Sequence, residues 1–82
     1  MKLEEAKELF EEIVESIYEL DNPQMQACTE SIYSEASNAK SLSRLMMTMD
    51  ELIVLLTDVD MTEDEEDAFK DIQEKIELMG QD

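Results

Sequence analysis

Apolar residues recur at helical spacing from one end of this chain to the other. Leu3, Ala6, Phe10, Ile13, Ile17 and Leu20 step by 3, 4, 3, 4 and 3, which is one apolar stripe at heptad spacing. The pattern predicts a helix over residues 2–20. Asp21-Asn22-Pro23 ends it. Asn22 is a good N-cap, and Pro23 then falls at the first helical position, where its missing N–H costs nothing.

From Pro23 no Gly or Pro occurs until Gly80. Met25, Cys28, Ile32, Ala39, Leu42, Met46, Met49, Ile53 and Leu56 hold one heptad phase, with a lapse only at Glu35. An unbroken phase predicts one long helix over about 23–58, roughly 54 Å in length. Against it stands Ser37-Asn38-Ala39-Lys40-Ser41. Ser and Asn compete with the helix backbone, and Ser41 could cap a new helix. Between Leu45 and Leu56 the apolar residues fill one wide face, and Met47 and Val54 lie on the opposite side.

Thr62 and Glu65 have the spacing of a capping box, and Phe69, Ile72, Ile76 and Met79 follow at helical period. A last helix is expected over about 63–79, with Gly80 as its C′ residue. No strand pattern appears. The expected fold is therefore all-α and a single domain over residues 1–82. Two short helices fold back on a long central one as antiparallel hairpins. A helix apolar on two sides needs cover on two sides, so two copies would join into a four-helix bundle through Leu42, Leu45, Met46, Met49, Ile53 and Leu56. The alternative is a monomeric up-down four-helix bundle with a break near 37–41.

Charge changes the picture more than composition does. The chain of 82 residues has 23 Asp+Glu, 6 Lys+Arg and no His, a net −17. Residues 1–21 carry net −6, residues 22–49 net 0, and residues 50–82 net −11. Solubility of a small domain needs a net charge of only about 2–8. Direct binding to nucleic acid is excluded, since phosphate contacts need clustered Lys and Arg. The 43% hydrophobic content argues against simple disorder. Ser-His and Cys-His catalysis are excluded without His, and one Cys makes a zinc site untenable. No membrane span or signal segment is expected, and a single Cys fits a reducing cytoplasm.

Glu4, Glu8, Glu11, Glu15 and Glu19 step by 4, 3, 4 and 4 along the first helix. Neighbours at that spacing lie about 5–6 Å apart on one face. The last segment adds Glu63, Asp64, Glu66, Asp67, Asp71 and Glu74. Such a surface suits docking on a basic, nucleic-acid-binding protein, as a mimic of the phosphate backbone. Small inhibitors of restriction, CRISPR or DNA-binding proteins from phage and mobile elements work in this way. A second candidate role is a helical adaptor, assembly factor or chaperone that binds a partner through the Met-rich face around Leu45, Met46, Met49 and Ile53.

Asp58, Asp60, Thr62 and Asp64 alternate as in a calcium loop, but Glu63 stands where the loop needs Gly and Phe69 where it needs a bidentate Glu. Of the Met46, Met47, Met49 cluster, Met46 and Met49 sit on the core phase, as does Cys28, and these read as core residues before metal ligands. No metal, cofactor or enzymatic activity is expected. Ser41-Leu42, at a possible helix start in a small acidic chain, resembles the prosthetic-group motif of acyl carrier proteins. That resemblance implies a phosphopantetheine on Ser41. It covers two residues and bulk composition, and Lys40 stands where those proteins have Asp.

Overall fold

The described residues form four helices: α1 (Leu3–Glu19), α2 (Pro23–Ser37), α3 (Leu42–Thr57) and α4 (Glu63–Met79). The structure, a computed structural model, describes residues 1–81. No strand occurs among them. Among the described residues no helix is long and apolar enough to cross a membrane.

The ends of these helices follow from local chemistry. Asn22 Oδ1 accepts from the N–H groups of Gln24 and Met25 at 3.0 and 3.2 Å, with Pro23 at the first helical position. Thr62 and Glu65 form a reciprocal capping box: Thr62 N–H donates to Glu65 Oε1 at 2.8 Å, and Glu65 N–H donates to Thr62 Oγ1 at 3.3 Å. Gly80 caps α4 with φ −86°, not in the left-handed region. A Cβ there would meet Met46 Cε at 3.3 Å, so close approach to α3 is what a small residue serves. The left-handed position is Asp21, at φ 53°.

The long central helix does not form. Asn38 ends α2, and Ser41 starts α3, its Oγ accepting from Arg44 N–H at 3.2 Å. The buried stripes explain why. α2 buries Met25, Thr29, Ile32 and Ala36, while α3 buries Leu45, Thr48, Met49, Leu52 and Leu56. Continued as one helix at about 100° per residue, the second stripe would point roughly half a turn away from the first. The break at residues 38–41 turns both stripes inward. The apparent heptad phase ran through flanking positions. Cys28, Leu42, Met46 and Ile53 are only partly buried against the core. Thr29 and Thr48 occupy core positions because each hydroxyl donates to the carbonyl one turn back, Met25 O at 3.0 Å and Arg44 O at 3.1 Å.

Each helix packs against the next in the chain, and α4 closes the ring against α1. Lys7 Nζ, near the start of α1, donates to Ser37 O at the end of α2 at 2.9 Å. Tyr33 OH donates to Glu11 Oε1 and Tyr18 OH to Glu30 Oε1, both at 2.9 Å. These contacts run in opposite directions along α1 and α2. The Met1 ammonium donates to Gln81 O at 3.2 Å, which brings the chain ends together. The Cα envelope is 33 × 22 × 19 Å, too short for the roughly 54 Å rod a continuous middle helix would require. Phe10, Ile13, Ile17, Met25, Ile32, Leu45, Met49, Leu52, Leu56 and Ile72 are among the largest fully buried side chains.

Candidate functional site

Closing the ring between α1 and α4 decides the charge map. α1 carries seven acids and one base, α4 eight acids and two bases, so each is net −6 and the pair is −12. α2 carries two acids and no base, α3 two acids and one base, so that pair is −3. On a continuous middle helix the two acidic segments would have covered separate halves of a rod. In the bundle they lie side by side.

The acids expected at the surface are all exposed: Glu4, Glu8, Glu11, Glu15, Glu19, Glu63, Asp64, Glu66, Asp67, Asp71 and Glu74. They do not all share one face. Lys7, Glu11 and Tyr18 contact α2. At about 100° per residue, Glu4 and Glu15 lean the same way, and Glu8 and Glu19 point outward. Glu5 and Glu12, outside the sequence stripe, lean toward α4. On α4, Glu66, Phe69, Lys70 and Gln73 line an open cleft shared with Leu56, Val59 and Met61. Asp64 and Asp71 therefore lean to the α1 side, and Asp67 and Glu74 point outward beside them. The strongest acidic surface joins Glu5, Glu8, Glu12 and Glu19 to Asp64, Asp67, Asp71 and Glu74. The stripe on α1 pointed to part of it. Glu5 and Glu12 become legible only once the α4 side of α1 is known.

Little neutralises this charge from within. The one ion pair among the described residues joins Lys75 Nζ to Asp71 Oδ2 at 3.4 Å. Lys7 is turned to the Ser37 carbonyl. Both turns at one end of the bundle are acidic. Glu19 and Asp21 flank the first, and Asp58, Asp60 and Glu63 to Asp67 line the other, with no base among them. The Asn22 side chain lies beside Glu65, so the two turns adjoin. The Thr62 backbone N–H holds the Glu65 carboxyl below its ordinary pKa, aided by the Asn22 and Thr62 side chains against partial desolvation. Acids in the first turns of α1 and α4 suit the helix dipole, but Glu15, Glu19 and Glu77 near helix C-termini oppose it. No base stands in the last turn of any of the four helices.

The apolar partner face expected on the middle segment is largely internal. Leu45, Met49 and Leu56 are fully buried, and Leu42, Met46 and Ile53 pack against the core. These side chains are consumed by the chain's own bundle, because α3 turns them toward α1, α2 and α4 after the break. The large apolar residues that α3 leaves exposed are Met47 at 60% and Val54 at 65%. Cys28 is half-buried, and burial pushes its thiol pKa up. Ser41 is exposed, with its oxygen engaged as the α3 cap. Among the described residues no group of three or more His, Cys, Asp or Glu is arranged to hold a metal ion. Comparison with protein families, with characterised proteins and with solved structures gives no match to this chain.

Proposed function

We propose that this protein is a non-enzymatic interaction protein whose α1–α4 side covers a basic, nucleic-acid-binding surface of another protein, in the manner of a phosphate-backbone mimic. The observation that carries this reading is the adjacency of α1 and α4, which sets two helices of net −6 each side by side, with a single ion pair among the described residues to offset their acids. Fold stability accounts for only part of that charge, through the Thr62–Glu65 capping box, the Tyr33–Glu11 bond and the acids in the first helical turns. Like charges one helical turn apart cost a few tenths of a kcal/mol per pair, and Glu15 and Glu19 stand at the wrong end of the α1 dipole. A complementary basic partner would recover this cost and gain association rate from electrostatic steering. In this reading the acting species is a homodimer whose joining face lies away from α1 and α4.

The test is affinity capture from a bacterial lysate with a salt-gradient elution. The expected result is a basic nucleic-acid-binding protein that elutes at moderate salt and is displaced by added duplex DNA. Reversing Glu5, Glu12, Asp67 and Glu74 to Lys should abolish its capture while far-UV circular dichroism stays helical. Capture that survives those four reversals refutes the reading.

A further inference from the structure

The outward face of α3 differs from the rest of the surface. Arg44, Met47, Glu51 and Val54 step by 3, 4 and 3 along it, which is one stripe of a helix. All four are exposed, and Val54 and Met47 are the most exposed of the large hydrophobic residues. Arg44, Met47 and Glu51 also line one shallow pocket with Glu35 and Thr48. This stripe carries one cation and one anion, on the half of the bundle that holds net −3. Contact here keeps the acidic α1–α4 sides of two copies apart, and the one further exposed acid within α3 is Asp50.

We propose that a second copy of this chain docks on this stripe, α3 against α3 and antiparallel about a two-fold axis. The stripe is complementary to itself under that operation. With the axis near residue 49, Arg44 of one copy lies opposite Val54 of the other and within a turn of its Glu51. Met47 lies opposite Glu51 and within a turn of Val54. The operation places a charge pair on each side of the axis and packs Met47 against Val54 twice. An isologous contact needs this self-matching. The area is that of one helix pair, so the dimer is weak and reversible. The α1–α4 sides of both copies face outward. The assignment does not depend on whether the acidic side binds anything.

Salt separates this contact from every contact of the acidic side. Two chains of net −17 repel over a distance that salt shortens, to about 8 Å at 0.15 M and about 3 Å at 1 M. Raising salt must therefore tighten the dimer, whereas it must loosen a basic partner. The experiment is sedimentation equilibrium of the full chain over a concentration series at 50 mM and 500 mM NaCl. The expected result is a rise from 9.5 kDa toward twice that mass, with a lower dissociation constant at the higher salt. Val54→Glu should raise the dissociation constant about tenfold or more with no loss of helical circular dichroism, since Val54 is outside the core. Arg44→Glu should weaken association, and adding Glu51→Arg in the same chain should restore it. A mass of 9.5 kDa under all conditions overturns the proposal and leaves this face to a different chain. A dimer indifferent to Val54→Glu, or a double reversal without rescue, also overturns it. Reversals on α1 and α4 leave this association in place, so its failure and the failure of the acidic reading are told apart.

Discussion

Glu15→Lys should make this protein more stable, although it reverses a charge in the middle of a regular surface pattern. Glu15 is exposed in the last two turns of α1. Its neighbours at i−4, i−3 and i+4 are Glu11, Glu12 and Glu19. Three like-charge pairs thus become three opposite-charge pairs. Each repulsion and each attraction at this spacing is worth about 0.2–0.5 kcal/mol. Glu11 and Glu12 lie N-terminal to the new Lys, the better of the two orientations. A cation near the helix C-terminus adds about 0.3–1 kcal/mol. Glu and Lys have nearly equal helix propensity, so the backbone is neutral in the exchange. The pairs share partners and do not add fully, which puts the expected gain at about 1–2 kcal/mol. The assay is urea unfolding followed by circular dichroism at 222 nm. With a slope near the low end of about 1–3 kcal/mol per molar urea, the midpoint should rise by roughly 1 M. At 1 M NaCl most of the gain should vanish, because the Debye length falls to about 3 Å. A lower midpoint would mean that Glu15 supports the fold. A gain of equal size at both salts would mean that electrostatics is not its cause. Either result removes the argument that the α1 acids are in excess of what folding uses.

Other consequences test the fold itself. Asp21→Gly should raise stability by about 0.5–1 kcal/mol in the same urea assay, because the left-handed conformation at φ 53° costs an L-residue and not a glycine. Leu52→Ala should lower it by about 2–5 kcal/mol, since Leu52 is fully buried between the helices, and a smaller loss would place Leu52 outside the core. Stability should also fall in alkali. Hydrogen bonds to Glu30 and Glu11 raise the phenol pKa values of Tyr18 and Tyr33 above the ordinary value. A folded-state pKa raised in this way contributes stability fully present below about pH 10, the unfolded value. It is lost as pH climbs through the higher folded value. Stability curves of the Tyr18→Phe, Tyr33→Phe double variant should be flatter across that window, and an unchanged slope would count against the two bonds.

Much of the architecture was legible in the residues. The four-residue caps at Asn22-Pro23 and Thr62–Glu65 are local interactions, completed within one turn of backbone, so the sequence states them outright. The all-helical class follows from apolar spacing alone. The break between α2 and α3 was legible only as an alternative, because Ser37-Asn38 and Ser41 are weak stop and start signals beside an apolar run that keeps heptad phase. That run misled because half-buried flank positions such as Leu42, Met46 and Ile53 are as hydrophobic as the core positions Leu45, Met49 and Leu52. Thr29 and Thr48 concealed the true stripe, since a hydroxyl that bonds to its own helix can be buried at little cost.

The sequence by itself determined the helices, their caps and the total charge, all of which depend on neighbours within a few positions. The register of the buried stripes, and with it the direction α3 takes from α2, was decided by packing of three helices at once. The same packing closed α4 onto α1. Two acidic segments more than forty residues apart in the chain became one surface. No local pattern encodes that adjacency, because it is set by which apolar faces find cover. Met47 and Val54 illustrate the same division: their apolar character is written in the chain, but only the assembled bundle leaves them facing outward.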